Sequence, residues 1–153
     1  MILFDINVLI YAHREDQVDH EYFRQKVEVV VGQESPFGMS QLVAAGFVRI
    51  VTHPKFPNGP TPLAQALAVI ESLMQRPNAH WISPGRRHWE LLASLCRATH
   101  AIGKSVADAQ HAAIAIEHAC TWTSRDRDFF KFEEAGLRFE WWSPPSGATA
   151  THA

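Results

Sequence analysis

The residues of this sequence best suited to chemistry are aspartates that adjoin apolar segments. Asp5 lies between two apolar stretches in MILFDINVLIYA, and Asp126 follows the strand-like segment TWTS. Asp108 lies near the start of an alanine-rich helical segment, KSVADAQHAAIA, and Asp128 follows Asp126 by two residues. Burying a carboxylate without a partner is costly, so each of these positions requires a physical explanation.

Each aspartate also has a purely structural interpretation. Asp5 can cap the helix that follows it, and Asp126 can cap a short helix after TWTS. Ser105 and Asp108 match the S-x-x-D pattern of a capping box. This interpretation is weaker for the set, because Asp5 and Asp108 both adjoin strongly apolar stretches and have no basic residue directly beside them.

A cluster of carboxylates needs either protons or a cation. Two carboxylates repel each other by roughly 4 kcal/mol at 4 Å and an effective dielectric constant of 20. The cluster must therefore take up protons or bind a metal ion. Ligands that are all oxygen favour hard ions such as Mg²⁺ or Mn²⁺, which can orient water for attack on a phosphodiester.

Apolar periodicity and turn residues predict alternating strands and helices. The predicted strands are 1–4, 36–39, 80–83, 121–123 and 137–142, and the predicted helices are 6–14, 20–31, 41–51, 61–75, 86–99, 105–119 and 127–134. Ser40 is the expected cap of the third helix. This alternation predicts a three-layer α/β fold with a mainly parallel sheet. Ligands bind such sheets at the carboxyl ends of the strands, where the aspartates are expected to meet.

Composition and length indicate one globular domain. The chain has 153 residues, of which 46% are hydrophobic and 20% are charged, as in ordinary globular proteins. We expect a domain over residues 1–142 and a disordered tail over residues 143–153. No apolar run reaches the roughly 18 residues of a membrane span, and no signal peptide is evident. Cys96 and Cys120 are expected to be reduced core thiols, which indicates a cytoplasmic protein.

Charge is unevenly distributed along the chain. The net charge is −2, so the protein as a whole does not have the charge of a nucleic-acid binder. Between residues 35 and 105, however, basic residues exceed acidic ones. The basic residues are Arg49, Lys55, Arg76, Arg86, Arg87, Arg97 and Lys104, and the acidic ones are Glu71 and Glu90. This surplus is compatible with a phosphate-binding surface and equally with solvated helix faces.

Three segments together resemble the PIN-domain ribonucleases of the VapC toxin type. They are FDINVLIYAHR, SQLVAAGFVRIVTHP and VADAQHAAIAIEHACTWTSRDRDFFKF. The resemblance extends over residues 1–142. It implies a three-layer α/β/α fold and an endoribonuclease dependent on Mg²⁺ or Mn²⁺, the toxin of a bacterial toxin–antitoxin pair. It further implies a cytoplasmic homodimer, a small antitoxin protein as partner, and structured RNA as substrate, such as loops of tRNA or rRNA.

The resemblance also assigns roles to individual acidic residues. Asp5 and Asp108 match the principal metal ligands of the family. Asp126 matches the last acidic ligand position, and Asp128 is an accessory carboxylate. All four are therefore candidate catalytic residues, and the first three are candidate metal ligands.

Polar residues near the aspartates are candidates for supporting roles. Asn7 and Ser124 match polar positions of the family that hold water or carboxylates in place. His111 lies one helical turn from Asp108 and is a candidate contact for substrate phosphate. A zinc site built from His111 and His118 is disfavoured, because seven residues separate them. Both histidines are expected to be surface or capping residues.

One position departs from the family pattern. The third helix of the family commonly carries a glutamate shortly before F-x-R, and the matching residue here is Gly46. No acidic residue occurs between residues 35 and 70. A glycine within a helix costs about 1 kcal/mol relative to alanine, so helix propensity does not explain it. The alternative function is therefore a catalytically weakened module that binds RNA or protein.

A second, more distant resemblance is to the haloacid-dehalogenase phosphatases. In these enzymes a strand like FDINVL ends in an aspartate nucleophile, and a second acid follows two residues later. Here that position is Asn7, and the Gly-Thr turn of those enzymes is missing. The residues therefore favour the metal-dependent nuclease.

Overall fold

The structure is a computed structural model that describes residues 1–146. The five strands are β1 (Ile2–Phe4), β2 (Phe37–Ser40), β3 (Ala79–Ile82), β4 (Thr121–Ser124) and β5 (Arg138–Trp141). The six α-helices are α1 (Ile6–His13), α2 (His20–Gly32), α3 (Gln41–Val51), α4 (Leu63–Met74), α5 (His88–Thr99) and α6 (Lys104–Glu117). A 3₁₀ helix spans Arg127–Ala135. Every predicted element is present, with ends shifted by at most two residues.

The strands form a single parallel sheet in the order β3-β2-β1-β4-β5. One group of helices packs together as α1 on α2 and α3, and α3 on α4. The other group packs together as α5 on α6, with the 3₁₀ helix against both. The three-layer α/β/α architecture with a parallel sheet is confirmed. No helix within residues 1–146 combines the length and apolar character needed to cross a membrane.

The two central strands bring distant parts of the sequence together. In the register of β1 and β4, Ile2 pairs with Thr121 and Phe4 with Thr123. The pairing continues past β1, because the Asp5 N–H donates to the Thr123 carbonyl over 2.9 Å. The residues that follow these two strands therefore lie side by side at the carboxyl edge of the sheet.

Helix caps decide two of the structural interpretations. Ser40 caps α3 as predicted, because its Oγ accepts the Val43 N–H over 3.2 Å. The predicted capping box of Ser105 and Asp108 is wrong. Gly103 has a φ of 56° and starts α6 at Lys104, so Ser105 lies inside the helix. Asp108 is consequently not a capping residue and needs another explanation.

The end of the chain and the cysteines bear on the remaining predictions. Trp142 is buried, and its ring centroid lies 6.0 Å from that of Phe4, so the packed chain reaches this residue. Most of the tail predicted over 143–153 lies outside the described residues, and the domain limit at 142 stays a prediction.

Cys96 and Cys120 are free thiols, and Cys120 is buried.

Gly46 allows α3 to pack closely against α1. A Cβ atom on this glycine would lie 2.4 Å from Cδ1 and 3.2 Å from Cγ1 of Ile6. Both distances are shorter than ordinary van der Waals contact, so a side chain at position 46 would displace Ile6. Close packing of the two helices therefore explains a glycine that helix propensity does not.

Gly46→Val should destabilise the protein by about 1–3 kcal/mol, the usual cost of overpacking. In an Ile6→Ala background this loss should shrink, because the truncated side chain makes room for the added methyl groups. The measurement is urea unfolding of the two single variants and the double variant. Gly32→Val is the matched control, since a Cβ at position 32 meets nothing within 4 Å. Equal losses in both backgrounds would contradict the assigned contact.

Candidate active site at the carboxyl edge of the sheet

Three of the predicted aspartates line one cavity of about 260 Å³. Asp5 directly follows β1, Asp126 lies two residues after β4, and Asp108 projects from the second turn of α6. The other lining residues are Ile6, Asn7, Ile10, Arg49, Ile50, Lys104, Ala107 and His111. The sheet thus brings Asp5 close to two carboxylates that lie more than one hundred residues later in the sequence.

Asp5 is the most buried of these carboxylates and is held by two hydrogen bonds. Its Oδ1 accepts the Ile6 N–H over 2.7 Å, and its Oδ2 accepts the Ser124 hydroxyl over 2.6 Å. Burial raises the pKa of Asp5 to about 6, although both hydrogen bonds oppose this shift. The charges of Asp108 and Asp126 raise the pKa further. The prediction that Asp5 caps the following helix is confirmed, because Asp5 is the N-cap of α1. The cap does not neutralise the charge of the carboxylate.

Ser124 joins the polar residues of the site. In addition to its bond to Asp5, its Oγ accepts the Asp126 N–H over 2.9 Å and the Asn7 side-chain N–H over 3.2 Å. The Asn7 Oδ1 in turn accepts the Arg125 N–H over 3.3 Å. Ser124 is fully buried, so these bonds fix its hydroxyl. Of the two polar residues predicted to support the aspartates, Ser124 contacts Asp5 and Asp126 directly. Asn7 contacts them through Ser124.

Asp108 and Asp126 have different surroundings. The pKa of Asp108 is raised, mainly by burial and further by the charge of Asp126, while Lys104 acts in the opposite direction. Asp126 caps the 3₁₀ helix, because its Oδ1 accepts the Asp128 N–H over 2.9 Å. Asp128 itself is exposed and does not line the cavity. Its negative charge nevertheless contributes to the raised pKa of Asp108.

His111 differs from its prediction as a surface or capping residue. It is largely buried in the wall of the cavity, and its ring stacks on Trp122 with centroids 5.1 Å apart. Burial lowers its pKa to about 4, so the imidazole is neutral at pH 7. His118 lies instead at the end of α6, with Nε2 2.7 Å from the Ser83 carbonyl oxygen. The prediction for His111 was wrong because His111 lies on the apolar face of α6, which packs against the sheet at Trp122.

Two basic side chains line the cavity that were not predicted as site residues. Arg49 comes from α3, one turn beyond Gly46, and Lys104 is the first residue of α6. Both belonged to a general basic surplus in the sequence. The spacing of Lys104 four residues before Asp108 is a signal that could have placed it on the same helix face.

The donor set of the cavity fits a hard divalent cation by its chemistry. Carboxylate oxygens are the preferred ligands of Mg²⁺ and Mn²⁺. Burial, and to a smaller extent the neighbouring carboxylates, raises the pKa of Asp5 and of Asp108, so a cation in the cavity would favour the charged form of both. The side chains are not already arranged around an ion, because no three His, Cys, Asp or Glu side chains among residues 1–146 converge closely enough. Both oxygens of Asp5 also accept hydrogen bonds. Each of these oxygens keeps a second lone pair for a cation. Coordination of one ion by all three aspartates would require their side chains to move closer together.

A larger groove, of about 530 Å³, lies between α1, α2 and α4. Its charged residues include Arg24 and Glu28, whose side chains form an ion pair at 2.6 Å. These charges compensate each other, and none of the clustered aspartates line this groove. The smaller cavity at the sheet edge is therefore the better candidate for chemistry.

Sequence comparison identifies relatives over nearly the whole chain. The PIN domain family matches residues 2–135. The VapC ribonuclease Mb2897 of Mycobacterium bovis is 37% identical over 149 residues, covering 97% of this chain and 99% of the relative. Ribonuclease VapC25 of Mycobacterium tuberculosis is 39% identical over 132 residues, covering 86% of this chain and 93% of the relative.

Solved structures agree with these relatives in fold. A chain of VapBC2 from Rickettsia felis, bound to a DNA fragment from its promoter, has a TM-score of 0.64 at 19% identity. The similarity covers 94% of this chain and 100% of that one. Mycobacterium tuberculosis VapC20, a toxin that cleaves the sarcin–ricin loop, has a TM-score of 0.61 at 12% identity, covering 90% and 96%. The present chain therefore belongs to the PIN-domain family and, within it, to the VapC group.

Proposed function

We propose that the protein is a metal-dependent endoribonuclease that hydrolyses phosphodiester bonds of structured RNA. The observation that carries this proposal is the convergence of Asp5, Asp108 and Asp126 on one cavity, with Asp5 buried and its pKa raised. Relatives at 37% and 39% identity are named ribonucleases, which supports RNA as the substrate. Mg²⁺ or Mn²⁺ is the proposed ion.

The proposed roles of the residues follow from their surroundings. Asp5, Asp108 and Asp126 would hold the ion, which supplies a positive charge that polarises the scissile phosphate and acidifies water. Ser124 orients Asp5 through its 2.6 Å hydrogen bond, and Asn7 supports Ser124 in turn. Asp128 is an outer carboxylate that adds negative charge near Asp108.

Three side chains of the cavity are positioned to bind the substrate rather than the ion. Arg49 and Lys104 place positive charge at the rim, where phosphates next to the scissile bond can bind. His111 is neutral at pH 7 because its pKa is about 4, so it is suited to a hydrogen bond rather than an ion pair. These residues would bind the backbone and leave the choice of RNA sequence to other contacts.

We also propose that the protein is the toxin of a toxin–antitoxin pair, acts as a cytoplasmic homodimer and is inhibited by a small antitoxin protein. An apolar groove of about 490 Å³ between α3 and α4 supports a protein partner. Leu67 and Trp81 line this groove, and both side chains are more than 40% exposed. Burying such a surface favours association with a partner helix.

Asp5→Asn and Asp108→Asn should each reduce RNA cleavage by about 100-fold or more, because both remove charge that holds the ion. Cleavage of total RNA with Mg²⁺ or Mn²⁺, followed on denaturing gels, measures this effect. Glu134→Gln, an exposed acid on the 3₁₀ helix outside the cavity, is the matched control and should retain activity. Wild-type protein that leaves RNA intact at millimolar metal would instead favour a catalytically weakened module that binds RNA or protein.

Asp5→Asn should stabilise the metal-free protein at pH 7, by at most about 3 kcal/mol at 1.36 kcal/mol per pKa unit. The folded protein binds more protons at Asp5 than the unfolded chain between pH 3.8 and about 6. The Asp5 contribution to the free energy of unfolding therefore falls as pH rises through this interval. At pH 7 the buried charge is fully developed, and the asparagine variant avoids it.

The effect of His111 on the pH dependence of stability should be visible in the Asp5→Asn variant. Because its pKa is lowered from 6.5 to about 4, the unfolded chain binds more protons over that interval, and stability rises with pH. In wild type the opposite trend of Asp5 offsets this rise. Urea unfolding in EDTA between pH 4 and 7 should thus show a steeper rise for Asp5→Asn than for wild type or Glu134→Gln. Parallel curves would contradict the assigned pKa of Asp5.

A further inference from the structure

Beside the cavity lies an exposed group of aromatic and basic side chains that catalysis does not use. This group, here called the aromatic platform, consists of Arg127, Phe130 and Trp141. Trp141 is 40% exposed and Phe130 is 41% exposed. Trp141 ends the edge strand β5, opposite Ser124 in the register. Large apolar rings in these positions lose the benefit of burial, so they call for a ligand or partner.

The platform is tied to the segment that carries Asp126. The indole N–H of Trp141 donates to the Arg125 carbonyl over 2.8 Å, and Arg125 directly precedes Asp126. Arg127, which follows Asp126, holds its guanidinium carbon 4.7 Å from the centroid of the Trp141 ring. A ligand on the platform would therefore lie next to a carboxylate of the cavity.

The rings are fixed in orientation by mutual contacts. Phe130 meets Trp141 edge-to-face with centroids 6.4 Å apart, and it meets Phe139 edge-to-face at 4.8 Å. Arg127 takes part in none of the ion pairs found among residues 1–146. Its charge is consequently available to a phosphate, and the exposed parts of the Phe130 and Trp141 rings are available for stacking.

We infer that the aromatic platform stacks an unpaired base of single-stranded RNA within a nucleotide or two of the scissile phosphate. This inference rests on the proposed ribonuclease function and names a contact that function does not require. Aromatic rings and arginine planes bind bases of any sequence by stacking, and a free cation beside them neutralises the backbone. The platform would thus make cleavage prefer loops, whose bases are unstacked, over duplex RNA.

The test measures binding without cleavage, so that its outcome is independent of catalysis. Fluorescence anisotropy of a labelled eight-nucleotide RNA is measured in EDTA at low salt, with the full-length protein. Trp141→Ala should weaken binding about tenfold, as expected for loss of one stacked base. Trp89→Ala is the matched control, because Trp89 is 75% exposed on α5 but does not line the cavity, and it should leave affinity unchanged.

Trp141→Phe separates stacking from a structural role of the indole. Phenylalanine keeps an aromatic face but cannot donate to the Arg125 carbonyl. If stacking is the function, Trp141→Phe should retain most of the affinity that Trp141→Ala loses. Equal losses in the two variants would mean that the hydrogen bond to Arg125 positions the segment and would overturn the inference.

An abasic scan supplies a readout that a structural role would not change. Each base of the oligonucleotide is removed in turn, and wild type should lose affinity strongly at one position. With Trp141→Ala that position should no longer differ from the others. A flat scan with wild type, or no binding of single-stranded RNA at all, would overturn the inference. Loss of cleavage with an intact scan would instead contradict only the proposed enzymatic function.

Discussion

Burial of the Asp5 carboxylate is the constraint on which the site depends. Its backbone continues the pairing of the two central strands, so Asp5 is held at the carboxyl edge of the sheet. Hydrogen bonds from Ser124 and Ile6 hold the two oxygens but do not neutralise their charge. Burial raises the pKa of Asp5 to about 6 in spite of these bonds, and the charges of Asp108 and Asp126 add to the rise. A charged carboxylate buried in this way lowers the stability of the metal-free protein, and the proposed cation would offset that cost.

The order of strands in the sheet brings the other candidate site residues close to the buried Asp5. With β1 and β4 adjacent, the segment after β4 delivers Ser124 and Asp126 to the side of Asp5. The helix before β4 delivers Asp108 and His111 from above the sheet. A substitution that alters the register of these strands would therefore affect the proposed metal site, the proposed substrate contacts and the aromatic platform together, even when it lies far from the cavity.

The sequence predicted the parts of the site that depend on local order along the chain. Asp5 and Asp126 follow strands, and parallel strands end at one edge, so their proximity followed from the fold class. Properties that depend on packing between helices and strands could not be predicted from the sequence. Gly46 owes its identity to the side chain of Ile6 on another helix, and His111 owes its burial to Trp122 on β4. No spacing rule relates either pair.

Cation binding in the cavity should displace a proton from Asp5. Calorimetric titration with Mn²⁺ at pH 6, in buffers of different ionisation enthalpy, measures the protons released. Since the pKa of Asp5 is about 6, binding should release about half a proton from this residue, and Asp5→Asn should lose that release together with most of the affinity. Binding without proton release, or unchanged binding by Asp5→Asn, would contradict the account.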